Sequence, residues 1–296
     1  MPEAGFRFLP PALAESVHRL GIRVRRPVRG RGEGLHRSPE YGASVEFAEY
    51  RPYTPGDPPN RIDWPVYARS DRYLIRQSLE ETSLVATVML DTSGSMAYRD
   101  AGPCTKLEYG SFLAAGLMYA LVAQGDAASL FSFGAGLDRI LPPTGTLAGL
   151  RPMLEALETF TPDGVSDIGA SLQQAADRIP SRSLVVCISD FLQPPAAIIK
   201  GLRRLGHDGH NVILLHVLDG GERRLTLGGV SELRDLETNR RLTIELDEIR
   251  QGYERAVEAH IEQLGRACAE ALGAYHVFDT REAVESAMLR LRGGTQ

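Results

Sequence analysis

From Leu84 onward the sequence alternates short, continuously apolar runs with longer helical patterns. This alternation limits the fold more than any other feature. The runs are LVATVML, DAASLFSFG, SLVVCISDF, NVILLHVLD and AYHVFD. They carry little polar alternation, so they read as strands buried on both faces. Between and after them stand LEYGSFLAAGLMYALVAQG, closed by Gly125, then LAGLRPMLEALETF, DIGASLQQAADRIP, AAIIKGLRRLGHDG, EIRQGYERAVEAHIEQLGRACAEALG and REAVESAMLRLRG, all with helical spacing. Strands alternating with helices predict an α/β domain with a mostly parallel central sheet and helices on both faces. GLDRILPP reads as a short edge strand closed by its prolines. GGVSELRDLETNRRLTIEL interrupts the alternation, and its two runs flanking Glu237-Thr238-Asn239 predict a β-hairpin insertion near 222–246.

Residues 1–80 follow a different pattern and read as an N-terminal irregular/β segment, leaving 81–296 for the α/β domain. PALAESVHRLG reads as a short helix and GRGEGLHRSPEYG as loop. VEFAEY and YLIRQSLE read as strands around a Pro/Gly/Asp turn cluster. Arg19, Arg23, Arg25, Arg26, Arg29, Arg31 and Arg37 crowd this region, as a solvated arm or as a patch for an acidic partner.

Composition excludes some classes of function. A net charge of -5 argues against general nucleic-acid binding by the whole chain. The 3 cysteines, Cys104, Cys187 and Cys268, form no CxxC and read as reduced, mostly buried thiols, which points to a cytoplasmic protein. The N-terminus shows no signal-peptide pattern. FLAAGLMYALVA is shorter than the roughly 18 apolar residues that span a bilayer, so no transmembrane segment is expected.

In open α/β sheets ligands sit beyond the carboxyl ends of the strands. Two acids, Asp91 in VMLDTSGS and Asp190 in VCISDF, stand at such ends, and the loop TPDGVSDIG brings Ser166 and Asp167 to the start of a helix. If the sheet is doubly wound, these loops share a rim with Ser93 and Ser95. The set offers hard oxygen donors without imidazole or thiolate, which suits Mg²⁺ or Mn²⁺ better than Zn²⁺, with Ca²⁺ as a further candidate. Taken singly, each piece has a plainer reading: DTSGS and Ser166-Asp167 as helix caps, Asp190 as an ordinary strand-end acid.

DTSGSM after an apolar strand resembles the first motif of von Willebrand factor A-type domains, whose metal-ion-dependent adhesion site combines Asp-x-Ser-x-Ser with a Thr and an Asp from separate loops. The resemblance implies a Rossmann-like fold and a metal site built from Asp91, Ser93, Ser95, Ser166 and Asp190. Ser166 falls where that family usually has Thr, and it keeps the hydroxyl. EYRPYTPGDPPNRIDWPVYARSDRYLIRQSLEE and RDLETNRRLTIELDEIRQGY are similar to segments of a bacterial family found beside MoxR-type AAA+ ATPases. Arg51, Asp57, Arg61, Asp63 and Trp64 carry that likeness, and Trp64 with its neighbouring Tyr is expected to clasp the A-type domain, with a partner surface as the alternative.

The resemblance implies a non-enzymatic interaction protein. Its metal would take an Asp or Glu from a protein partner linked to a MoxR-type ATPase, in an adaptor or chaperone-like role. Two other readings stand beside it. One is a scaffold with a weak or empty metal site that binds through the Arg-rich N-terminus. The other is a metal-dependent phosphatase or hydrolase. A haloacid-dehalogenase-type phosphatase needs an acid two residues after the strand-end Asp, where this chain has Ser93. TSGSM is not the Gly-x-Ser-x-Gly elbow of a serine hydrolase, and no GxxxxGK[ST] loop is present. His207 and His210 are expected as exposed turn residues, and His216 as a satisfied core histidine.

Overall fold

Asp91 closes a strand, Val85–Asp91, whose last six residues are all buried. Burial on both faces requires helices on both sides of the sheet. The computed structural model describes residues 5–18, 46–54, 56–57, 59–79, 84–225, 228–271 and 273–293. The Arg-rich stretch from Arg19 to Arg37 lies outside them.

In chain order the elements are α1 (Pro11–His18), β1 (Glu46–Pro52), α2 (Trp64–Ser70), β2 (Leu74–Leu79), β3 (Val85–Asp91), α3 (Lys106–Ala123), β4 (Ala127–Phe133), β5 (Leu137–Thr144), α4 (Leu147–Thr159), α5 (Ile168–Ala176), β6 (Leu184–Ser189), α6 (Pro195–His207), β7 (Asn211–Leu218), α7 (Gly220–Arg223), β8 (Val230–Arg234), β9 (Arg241–Glu245), α8 (Leu246–Glu270), β10 (Ala274–Asp279) and α9 (Val284–Gly293).

The chain divides into two compact units, Met1–Pro27 with Leu84–Gln296, and Val28–Ser83. The larger unit holds a six-stranded sheet in the order β10-β7-β6-β3-β4-β5. All neighbours are parallel except β4 and β5, so β5 is the antiparallel edge strand expected from GLDRILPP. It runs through both prolines to Thr144, because an edge strand has no further neighbour that needs their missing N–H groups. Alternate side chains of the central strands feed two cores. Ala86, Val88 and Leu90 pack with α3, α4, α9 and α1, while Met89, Val185 and Cys187 pack with α5, α6 and α8. The first described residues therefore join the α/β core through Phe8, Leu13 and Val17, rather than the segment that follows them.

α3 is the central helix, buried nearly all round. It starts with a capping box in which Thr105 and Glu108 satisfy each other's backbone N–H groups. It ends before Gly125, whose φ of +86° turns the chain into β4. The insertion is a hairpin of β8 and β9, paired antiparallel from Val230↔Glu245 to Arg234↔Arg241.

In the smaller unit β1 and β2 pair antiparallel. α2, unforeseen among the prolines, is capped by the Asp63 side chain, which accepts from Val66 N, with proline in its first turn. Arg51 and Asp57 form a two-bond ion pair at 2.7 and 2.6 Å. Trp64 is 54% exposed and meets Tyr67 edge-on within its own unit. The Arg61 side chain lies outside those described. Among the described residues no helix is long and apolar enough to cross a membrane. The three cysteines are free thiols, two of them buried.

Candidate metal centre

The strand order reverses at β3, whose successor β4 lies on one side and β6 on the other. A crevice opens at the carboxyl ends of strands where the order reverses. Asp91 at the end of β3 and Asp190 just after β6 stand there, 0% and 2% exposed. The loop before α5 is laced onto the loop after β3. Gly94 N donates to Gly164 O at 2.9 Å and Asp163 N to Thr92 O at 2.9 Å.

This lacing brings the five residues singled out in the sequence to one place. Asp91 Oδ2 accepts the Ser166 hydroxyl at 3.2 Å, and Asp91 Oδ1 accepts Ser93 N at 2.9 Å. The Ser93 and Ser95 hydroxyls are 3.1 Å apart. The cap reading is resolved residue by residue. Ser93 precedes the short 3-10 turn Gly94–Ala97 without capping it, so its buried hydroxyl faces the cluster. Asp167 does cap α5, accepting Ala170 N at 2.9 Å, while its neighbour Ser166 turns to Asp91.

Four further residues complete the site. Ser189 donates its hydroxyl to Asp91 Oδ2 at 2.7 Å and accepts Phe191 N at 2.9 Å. Gln193 reaches from the β6 loop to the Ser166 carbonyl and accepts Ile168 N at 3.0 Å, tying two of the site's loops together. Phe191, directly after Asp190, has φ +48°, a strained conformation for a bulky residue. Lys106, the first residue of α3, is fully buried and donates to Asp190 Oδ2 at 2.7 Å and to Glu222 Oε1 at 2.5 Å. Nothing in its local sequence, next to the apolar run that begins at Leu107, marks it as part of the site.

Burial, reinforced by the Asp190 charge, pushes the Asp91 pKa up to about 6, against the pull of the Ser189 and Ser93 bonds. Burial acts the same way on Asp190, but the Lys106 ammonium outweighs it, with help from Ser95, and holds that carboxyl below the usual range. Asp91 has no Lys or Arg salt bridge among the described residues. The buried cluster therefore carries an anionic excess around Asp91, and a cation would relieve it.

The donor set fits a hard divalent ion: two carboxylates, three hydroxyls, no sulfur and no imidazole. Among the described residues no three His, Cys, Asp or Glu side chains gather as a metal cluster, so hydroxyls would have to supply part of any coordination shell.

The histidines lie outside this set. His207 is exposed, but His210 is buried, and its Nδ1 accepts Ser183 N at 3.3 Å. The turn residue expected at the surface is buried instead, held between α6 and the start of β6 by His210 N to Leu205 O at 3.0 Å and by Ser183 N. His216 pairs with the Tyr275 hydroxyl through Nδ1 at 2.5 Å, while its buried Nε2 has no protein partner. One concave surface runs along α8 at Asp247, Gln251 and Tyr253, and another lies between α5 and α6 at Gly169, Gln173 and Ala197, with Asp167, the neighbour of Ser166, in its lining.

The chain is 28% identical over 261 residues to "Uncharacterized protein Rv1480" of Mycobacterium tuberculosis, covering 86% of this chain and 81% of the relative. It resembles the crystal structure of an aerotolerance-related membrane protein from Bacteroides fragilis with a TM-score of 0.51 and 18% identity, over 72% of this chain and 98% of that one. The SpRpn10 VWA domain aligns with a TM-score of 0.43 and 13% identity, over 70% of this chain and 94% of that one. The first of these structures supports the fold alone. The family model described as "Protein of unknown function DUF58" matches residues 49–263, and the chain belongs to that family.

Proposed function

We propose that this chain is a non-enzymatic protein-interaction module that works through a bound divalent cation, Mg²⁺ first. The observation that carries the reading is the convergence of Asp91, Ser93, Ser95, Ser166 and Asp190 at the carboxyl ends of β3 and β6. These residues would hold the ion. When bound, the ion supplies an electrophilic centre for a carboxylate from another protein. The hydroxyls of Ser93, Ser95 and Ser166 hold without neutralising, so much of the ion's charge stays available to an incoming Asp or Glu. Ser189 and Gln193 fix the carboxylate and loop that the ligands ride on.

No acid stands two residues after Asp91, where a phosphatase of the strand-end-Asp type needs one, and this supports binding over catalysis. The partner is a protein linked to a MoxR-type AAA+ ATPase, a step that rests on the resemblance of the segments around Arg51–Trp64 and Arg234–Tyr253.

Calorimetric titration of Mg²⁺ and Mn²⁺ into the wild type and Asp91→Ala, with pull-downs in Mg²⁺ or EDTA, tests the reading. Saturable binding lost in Asp91→Ala is expected, with partner capture lost in EDTA. Partners that stay bound in EDTA and to Asp91→Ala would sink it. One observation favours a second reading, a scaffold with a weak site: the Lys106 ammonium already occupies one face of Asp190.

A further inference from the structure

Lys106 is costly where it stands. Its side chain is 0% exposed, and burying an ammonium costs several kcal/mol before any pairing. It is the first residue of α3, at the helix end where the macrodipole disfavours a positive charge. Its ammonium stands over the Tyr98 ring, with Nζ 5.6 Å from the centroid. Replacing a whole buried ion pair by apolar side chains is often neutral or stabilising, so fold stability alone gives weak reason for the pair, whereas removing Lys106 alone would strand the buried Asp190 carboxylate.

Its partners show what it does there. Nζ bridges Asp190, one of the two carboxylates of the candidate centre, and Glu222, the third residue of α7. The other Glu222 oxygen accepts Asp219 N at 3.2 Å, closing the capping box of α7. The one ammonium that faces Asp190 is thus shared with a second carboxylate, and no ion pair reaches Asp91 among the described residues.

We infer that Lys106 is a built-in counter-cation, which pairs with Asp190 in the ion-free protein and sets how tightly the centre takes a divalent ion. The inference rests on the proposed metal reading and deepens it. With the ammonium in place, an ion must share Asp190 with a like charge, so binding is moderate and reversible. Without it, the ion faces an uncompensated carboxylate. Glu222 acts in the opposite sense: it draws the ammonium away from Asp190 and adds negative charge near the centre. Lys106 is thus a positioning and tuning residue, distinct from the ligands.

Mn²⁺ titration of the full chain by calorimetry, with thermal unfolding with and without Mn²⁺, separates the possibilities. Lys106→Met should unfold at lower temperature without ion and bind Mn²⁺ tighter by roughly tenfold or more. Its ion-induced rise in Tm should exceed that of the wild type. Glu222→Gln should bind Mn²⁺ more weakly than the wild type. A merely structural lysine would instead weaken both folding and ion binding.

Equal or weaker binding by folded Lys106→Met overturns the inference. So does equal or tighter binding by Glu222→Gln, which carries the test if Lys106→Met fails to fold. Wild-type binding that is lost in Asp91→Ala, with no gain in Lys106→Met, defeats this inference and leaves the metal reading standing. Absence of binding in all of the chains defeats both. Binding by Lys106→Met with none by the wild type supports the inference in its strongest form.

Discussion

A Cβ built on Gly94 would stand 2.6 Å from the carbonyl oxygen of Leu236, a backbone atom at the tip of the β8–β9 hairpin, and 3.1 Å from Gly164 O. Gly94 is thus the point where three loops close on one another: the loop after β3, the loop before α5 and the hairpin tip. Backbone oxygens cannot swing aside as a side-chain end can, so Gly94→Ala must move a loop. The hairpin tip is expected to yield, since Gly164 is also held by the Gly94 N–H. Hydrogen exchange should become faster at Glu237 and Asn239, whose amides are bonded to Asp235. Overpacking of this kind costs about 1–3 kcal/mol. Unchanged exchange at the tip would show that the hairpin does not rest on Gly94.

Ser166 and Ser189 both donate to Asp91 Oδ2, yet their variants should behave differently. Ser189 is buried, and its removal also orphans Phe191 N–H, so Ser189→Ala should lower stability by about 1–3 kcal/mol in urea unfolding. Ser166 is half-buried at the rim, and Ser166→Ala should stay within about 0.5 kcal/mol of the wild type. Its Mn²⁺ affinity should fall nonetheless. Intact ion binding in Ser166→Ala would remove Ser166 from the ligand set, and equal losses of stability would show that its bond to Asp91 holds the fold as that of Ser189 does.

The contrast between those serines also shows what the sequence made legible. Ser166 was visible because it stands in a loop before a helix, beside an Asp that caps it. Ser189 was hidden as the last residue of an apolar strand, where a hydroxyl looks incidental. The sheet and its helices were readable because burial on both strand faces leaves unbroken apolar runs, and because Gly125 marks the end of α3, while the Thr105–Glu108 capping box at its start went unread. α2 was missed although Asp63 and Pro65 are a start signal, since the surrounding prolines suggested turns alone. Lys106 and Asp190 are 84 residues apart in sequence, and no local pattern reports a pairing at that distance. The burial of His210 was equally invisible, since its partner Ser183 is 27 residues away in sequence.

Asp219 yields a pH prediction away from the proposed ligands. Its carboxylate accepts Ala101 N at 2.9 Å, Gly102 N at 3.1 Å, Gly221 N at 2.9 Å and the Thr280 hydroxyl at 2.8 Å, joining the loop before α3 to the ends of β7 and β10. Burial raises its pKa, but these donors outweigh burial and hold the carboxyl down at about 2, from an ordinary 3.8. Between those values the unfolded chain binds a proton that the native protein does not, so stability rises with pH across that window. The contribution of Asp219 is complete above the unfolded value and disappears as pH falls through about 2. Asp219→Asn cannot accept all of these bonds and places an amide among donors, at a cost of about 2–4 kcal/mol near neutral pH. The gap in urea midpoint between wild type and Asp219→Asn should therefore be widest at pH 6–7 and shrink steadily below about pH 4. A gap that keeps its full width at pH 2.5 would mean that the cost lies in packing, and that the donors around Asp219 do not depend on its charge.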